Sequence, residues 1–600
     1  MSRRHFLQVS GSAAATLGFS GGAFAIDRVG DRPLAEVGYD QVTVTSAPHL
    51  AQLENTHGVL MGLSNDSLMK PLRAMAGLEA PGEDLGGWYS YRPKYNFRTD
   101  VVGFAPGCNY GQWVSALARN YGMTGDAASR DKVLQLNRMY METIGKRYYE
   151  VNRFPAYCYD KLVCGLMDSH RLVHDAQAFR LLGATTDAAV QVLPGHAVDH
   201  DVAWRPGRDI SWNWDESYTM PENLYLVYGM GAGLRYRKLA EQYLNDKTEF
   251  DPLARGENPL AHKHAYSYVN SLCSAMQAYL VDGSVKHLDA ARNGFEILEA
   301  QSFATGGWGP DETLQANGSS ALFESLTKTH HSFETPCGSY AHMKLTRYLL
   351  RATRDGRYGD SMERVMYNTV LGARPLKADG STYYYSDYNF EGRRVYHDGN
   401  WACCAGTLPQ VATDYGINSY LREPGAVWVN LYIPSVMRWS EGGNHMELEQ
   451  RGSYPLSDAL EFRVKAARPE TFALHLRIPA WAEGARVSVN GRAEGLVVTK
   501  GFAVLQRTWR SDDVVELELP SKLRLQAIDA AHPNVVALVR GPLVLFAKTD
   551  AQPILTREQV LGARRNAGAE WIIETGQGPL RLVPFTDVGD AAYTTYLKLS

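Results

Sequence analysis

The stretch "HAYSYVNSLCSAMQAYLVDGSVKHLDAARNGFEILEAQ", His264–Gln301, holds two apolar-periodic runs on either side of Asp282-Gly283-Ser284. In each run the apolar residues recur every three or four positions, which predicts an amphipathic helix, and the Gly-containing break predicts a reversal between them. The unit is therefore a helical hairpin. The same grammar returns around Tyr121–Ser129 ("YGMTGDAAS"), Leu181–Ala189 ("LLGATTDAA"), Tyr228–Tyr236 ("YGMGAGLRY") and Arg351–Asp360 ("RATRDGRYGD"), each read as the turn of a pair. A spacing of roughly 45–70 residues per pair is too irregular for a solenoid of identical units and fits about six hairpins between His57 and Glu423. A closed double ring of helices, an α/α barrel, satisfies that count. Its longer inter-pair loops would gather at one end, where a site can form.

After Glu423 the period changes to two. "AVWVNLYIPS", "FALHLRIPAW", "ARVSVNGRAEG", "DVVELELP" and "NVVALVRGPLVLFA" alternate apolar and polar residues, and Asn490-Gly491 supplies a hairpin turn. These runs predict a β-sandwich over 424–520 and a second, smaller β-rich domain over 521–600, behind a helical domain over 26–423. "YDQVTVTS" at Tyr39–Ser46 is a candidate extra strand for one of the sheets.

The composition is that of a globular protein: 600 residues, 45% hydrophobic, 21% charged, formal net charge −4. Basic residues are dispersed, so neither nucleic acid nor an anionic membrane is the expected partner. The 34 Tyr and 12 Trp suit either flat sugar-binding surfaces or simply a core. Residues 1–25 combine Arg3-Arg4, a weakly apolar Ala/Gly-rich run and Ala23-Phe24-Ala25. They read as a twin-arginine export signal, which places the protein in the periplasm or outside the cell. Folded export would allow a metal to be loaded beforehand.

Seven Cys are too few and too scattered for a disulfide scaffold. Cys158, Cys164 and Cys273 lie in apolar helical text and read as core residues, whereas Cys337, Cys403 and Cys404 have Glu, Pro, Gly and Trp as neighbours. Three segments concentrate reactive groups: "TGGWGPDETLQ" at Thr305–Gln315, "HHSFETPCGSYAHMKL" at His330–Leu345, and "NWACCAGTLPQ" at Asn400–Gln410. Glu334, Cys337, Cys403 and Cys404 make a plausible four-ligand zinc set. A strained vicinal disulfide between Cys403 and Cys404 is the competing reading of that pair. Asp311, Glu312 and Glu334 equally allow a metal-free hydrolase with two carboxylates, or the acids could merely solvate loops.

Glu334, Cys337 and Cys403-Cys404, following "TGGWGPDE" and preceding "VRGPLVLFA", resemble the β-L-arabinofuranosidases of glycoside hydrolase family 127 and their DUF1680 relatives, over about Val42–Ala547. The resemblance implies an (α/α)6 catalytic barrel with β-sandwich domains behind it and a Zn2+ held by Glu334, Cys337, Cys403 and Cys404. It further implies Cys403 as nucleophile, Glu312 as general acid/base, and His264 with Tyr384 or Tyr385 as sugar contacts. Trp308, in the loop of Glu312, is taken as a further sugar contact. The family's Glu-x-Cys is here Glu-x-x-Cys, its Pro-Pro-Asn after the Cys pair is "AGTLPQ", and its His-Pro-Glu segment is Met220-Pro221-Glu222. The expected activity is a zinc-dependent retaining glycosidase with a cysteine nucleophile, acting on β-L-arabinofuranosides or a related sugar of plant or microbial glycans. The alternatives are a metal-free two-carboxylate glycosidase, an α/α-barrel polysaccharide lyase, and a non-catalytic carbohydrate-binding protein with structural zinc.

Overall fold

The computed structural model of the protein describes residues 32–96, 99–199 and 215–600. The export signal expected at 1–25 lies outside the described residues.

Six helices form a closed inner ring, each packed on the next and the last on the first: Tyr110–Thr124, Pro155–Val173, Met220–Gly229, Ala265–Asp282, Thr335–Thr353 and Cys404–Ser419. Each has an outer, antiparallel partner. Five partners follow in the chain, at Ala127–Met141, Ala178–Ala189, Leu234–Gln242, Val285–Glu299 and Arg357–Asn368. The sixth, Ala47–Gly62, precedes the ring and packs on Cys404–Ser419, so the (α/α)6 barrel closes through its own N-terminal helix. Inner helices are buried on nearly every side, and Cys404–Ser419 is buried at every residue. That explains their continuous apolar and small-residue text.

The turns follow the sequence in four of the five places quoted. At Gly283 (φ 69°) the left-handed conformation ends a helix at no steric cost. Leu181–Ala189 is the exception, because it lies inside the helix Ala178–Ala189. Thr186 donates back to the Leu182 carbonyl and contacts Tyr159, so its polar groups are satisfied within the helix. The reversal occurs earlier, where His174 takes φ 58°.

Two sheets form the sandwich. One orders strands 35–36, 420–423, 426–429, 470–477, 502–509 and 498–499; the other orders 492–494, 486–489, 514–518, 459–466, 444–451, 435–441 and 42–44. Trp439 of the second meets Phe472 of the first at 5.5 Å between ring centroids, across the shared core. Residues 42–44, in the candidate strand Tyr39–Ser46, pair into the second sheet, and residues 35–36 and 420–423, inside the 26–423 span read as helical, pair into the first; backbone pairing at Val44–Ser435 and Ala35–Arg422 fixes them there. Asn490 (φ 52°) and Gly491 (φ 74°) make the tight hairpin. The remaining strands, from Leu523 to Leu599, pair in a third sheet. Among the described residues no helix is long and apolar enough to cross a membrane.

Candidate active site

The N-terminal ends of four inner helices meet at one end of the ring. Cys403 and Cys404 open the helix Cys404–Ser419; Glu334 caps and Cys337 sits in the first turn of Thr335–Thr353; His264 caps Ala265–Asp282; Glu216 precedes Met220–Gly229. Free amide groups and the helix dipoles favour thiolates and carboxylates at such ends. Glu334 is fixed by pairing of the two-residue strands Phe333–Glu334 and Tyr385–Ser386, in which Glu334 faces Tyr385. Glu312 ends a tight turn whose Asp311 and Glu312 both have positive φ, 51° and 54°.

These ends line a cavity of about 460 Å3 together with Trp88, Phe104, Tyr157 and Tyr266. Cys337 Sγ lies 3.4 Å from both Cys403 Sγ and Cys404 Sγ, and Glu334 Oε1 lies 3.3 Å from Cys403 Sγ and 3.9 Å from Cys404 Sγ. All seven cysteines, this pair included, are free thiols. Tetrahedral zinc with bonds of ~2.3 Å to sulfur holds its sulfurs roughly 3.7 Å apart. The four donors thus converge as one such ion requires, and the soft-sulfur set with a single carboxylate suits zinc.

Burial pushes the Cys403 thiol up, but hydrogen bonds with Cys337, Cys404 and Tyr384 outweigh it and hold Cys403 well below the usual thiol range. Cys337 and Cys404 are pushed well up by burial. Cys403 is the only one of the three thiols that lines the cavity.

Glu312 Oε2 is 3.2 Å from His264 Nε2, and its Oε1 accepts from the Tyr385 hydroxyl. Burial raises the Glu312 pKa, yet His264 and Tyr385 bring it down to about 2. Burial lowers the His264 pKa, and the Glu312 carboxylate more than restores it. Each group thus favours the charged form of the other. Tyr384 OH is 3.5 Å from Cys403 Sγ, and its ring stacks on His397 at 4.5 Å between centroids.

The structure thus brings Glu312, Glu334, Cys403, His264, Tyr384 and Tyr385 to one cavity, with Cys337 and Cys404 just beneath. Trp308 departs from expectation. It is 1% exposed, packs its ring on Phe333 and donates Nε1–H to His342, so it supports the loop from behind and does not line the cavity. Met220 and Glu222 also stay out: Met220 is fully buried, and Glu222 is taken up by Lys344 and the Tyr348 hydroxyl. "AGTLPQ" builds the ring. Thr407 Oγ1 is 3.2 Å from Cys337 Sγ, Gln410 bonds to Gln112, and a Cβ on Gly406 would meet Gln112 Oε1 at 2.3 Å. Glu216, Tyr157 and Tyr266 were missed by sequence reasoning. Each lies in or beside an inner helix and carries no local motif; Glu216 has one weak signal, an acid just ahead of an apolar run.

The family model described as "Beta-L-arabinofuranosidase, GH127 catalytic domain" matches residues 41–416, and that of the GH127 middle domain matches 426–521. Among solved structures, a GH127 β-L-arabinofuranosidase from Geobacillus stearothermophilus T6 superposes with a TM-score of 0.72 at 18% identity, over 93% of this chain and 100% of that one. A second GH127 β-arabinofuranosidase gives 0.72 at 17% identity, over 95% of this chain and 98% of the other. A third, described as a glycoside hydrolase, gives 0.69 at 15%, over 95% and 98%. At these identities the likeness shows the fold. No protein with a curated description matches.

Proposed function

The chain belongs to glycoside hydrolase family 127, the β-L-arabinofuranosidase family, and from that membership we propose that this glycosidase is an exported, zinc-dependent, retaining exo-enzyme with Cys403 as nucleophile. The observation that carries the proposal is the placement of Cys403. It belongs to a four-donor cluster and faces the same cavity as Glu312. Glu334, Cys337, Cys403 and Cys404 would hold the ion. Bound zinc supplies the positive charge that keeps the three sulfurs as thiolates at neutral pH.

The chain's own residues perform the rest. Cys403 Sγ bonds to the anomeric carbon as the bond to the departing oxygen breaks, and Glu312 hands that oxygen a proton. The proton waits on His264 Nε2, 3.2 Å from Glu312 Oε2. In the second step Glu312, again a carboxylate, takes a proton from water; the water oxygen bonds to the anomeric carbon and the carbon–sulfur bond breaks, which restores the thiolate and the original configuration. Tyr385 and His264 hold Glu312 between them throughout.

The competing readings have less support. A lyase acting on uronates would need a cation for the substrate carboxylate, and no Lys or Arg is among the described lining residues. A metal-free pair would draw its second carboxylate from Glu334, Glu216 or Asp311, yet Glu334 is 3% exposed and wedged against two sulfurs, Glu216 is 6% exposed beside His264, and Asp311 accepts from the Thr329 hydroxyl. The sugar proposed is β-L-arabinofuranose or a close relative, as a terminal unit of plant or microbial glycans. Arg3-Arg4 and Ala23-Phe24-Ala25 support export by the twin-arginine route.

The test is metal content together with turnover of a panel of aryl glycosides. One tightly held zinc per chain, retention of configuration, and loss of turnover in both Cys403→Ala and Glu312→Gln are expected. Full turnover by Cys403→Ala would overturn the proposal.

A further inference from the structure

The cavity carries a second set of converging donors. A ring nitrogen of His264, a Glu312 oxygen and a Glu334 oxygen lie within 4.8 Å of one another, so Glu334 is shared between this trio and the thiol cluster. An acidic patch alone would mean little, but Glu334 is 3% exposed and its Oε2 has no hydrogen-bond partner. A buried carboxylate oxygen left open is costly unless something completes it.

The outer contacts fit a cation as well. Glu216 Oε1 lies 3.7 Å from His264 Nδ1, and Ser267 Oγ lies 2.8 Å from the same nitrogen. Ser267, which also donates its backbone N–H to Nδ1 at 3.4 Å, holds the ring through that nitrogen, so Nε2 points at Glu312, where a cation would displace the Nε2 proton. Metal-binding histidines are commonly oriented through their other nitrogen in this way. The Tyr385 hydroxyl steadies Glu312 from its second oxygen. Glu216, Asp311, Glu312 and Glu334 all line the cavity, with no Lys or Arg among the described lining residues to offset them.

We propose that a second divalent cation, zinc when it is in excess, binds His264 Nε2, Glu312 and Glu334 with its open face toward the cavity. One nitrogen and two oxygens bind zinc less tightly than three thiolates do, so this ion exchanges while the first stays. Its effect on turnover rests on the role proposed for Glu312: a cation on that carboxylate takes the place of the proton Glu312 must carry. Zinc beyond the first equivalent then inhibits. Masking a general acid/base costs on the order of 100-fold in rate.

The experiment equilibrates the stripped full-length protein with Zn2+ and reads bound metal per chain and aryl-glycoside turnover across the titration. Wild type is expected to bind two ions in two affinity classes, with turnover rising as the first class fills and falling as the second does. His264→Ala and His264→Gln should keep the tight ion and lose the weak one. Cys404→Ser should weaken the tight ion and keep the weak one, which separates failure of the thiolate centre from failure of this site. Saturation of wild type at a single ion that Cys404→Ser weakens, or a second ion retained by both His264 variants, overturns the proposal. A second ion that binds without slowing turnover overturns its inhibitory part.

Discussion

The two ends of the inner helices treat buried charges differently. At the N-terminal ends, Glu216 Oε2, Glu334 Oε2 and the hydroxyls of Tyr157 and Tyr266 are buried with no hydrogen-bond partner. Toward the C-terminal ends, charges are buried just as deeply but in pairs. Arg119 bridges Asp168 and Asp414, and Arg347 reaches Glu36, Asn418 and Asp414. Charge removed from water survives in a fold only when paired or completed by a ligand. The paired end holds ring and sheets together, and the open end is where something else must bind.

The contrast breaks hardest at the thiols. Cys403→Ala should lower kcat by roughly 10^4-fold or more, since it removes the atom proposed to attack. Cys273→Ala, in the ring wall and fully buried, should leave kcat within about threefold and cost about 1 kcal/mol of stability. Steady-state kinetics and denaturant titration of both variants check this.

Next come the buried pairs. Lys344→Met strands Glu222, which is 2% exposed and held by Lys344 and Tyr348, and should cost about 3–5 kcal/mol, seen as a fall in Tm. Trp308→Phe should cost about 1–2 kcal/mol and leave KM within about twofold, because the ring packs behind the cavity. A KM raised tenfold would return Trp308 to the sugar site.

A pH series sharpens the paired end. Burial raises the pKa of Glu36, but Arg351, Arg347 and Arg171 bring it down to about 2. Its stabilising charge is complete above the ordinary carboxylate value near ~4.3 and is lost as pH falls through about 2. Glu36→Gln should therefore lower Tm at neutral pH, with the gap to wild type closing between about pH 4 and about pH 2. The smallest effect belongs to the exposed sheet pair Arg486–Glu518, where Arg486→Ala should cost less than about 1 kcal/mol by denaturant titration.

Periodicity made the fold legible, because a helix buried on one stripe and a strand buried on one face leave different repeats in the text. It misread Leu181–Ala189, where Gly and Thr imitate a turn while Thr186 bonds back into its own helix. It also could not show that Ala47–Gly62 completes the sixth hairpin from the far end of the ring, a long-range packing fact. The Glu/Cys cluster was legible through the family resemblance of Glu334, Cys337 and Cys403-Cys404 taken together, since Glu-x-x-Cys alone is a common pattern. Glu216, Tyr157 and Tyr266 come from three separate stretches and meet only when the ring closes. Trp308 was misplaced because proximity in sequence to Glu312 does not say which way an aromatic ring turns.

The central claim is that Cys403 attacks the sugar, and the most direct measurement catches it doing so. In Glu312→Ala, with an aryl glycoside that wild type cleaves and whose leaving group departs without a proton, the first step proceeds while the second is starved of its base. Mass spectrometry of the intact protein and its peptides should then show one sugar residue added, on the peptide carrying Cys403 and at its sulfur. A sugar on Glu334 or another carboxylate, or steady turnover with inverted configuration and no adduct, would contradict the account.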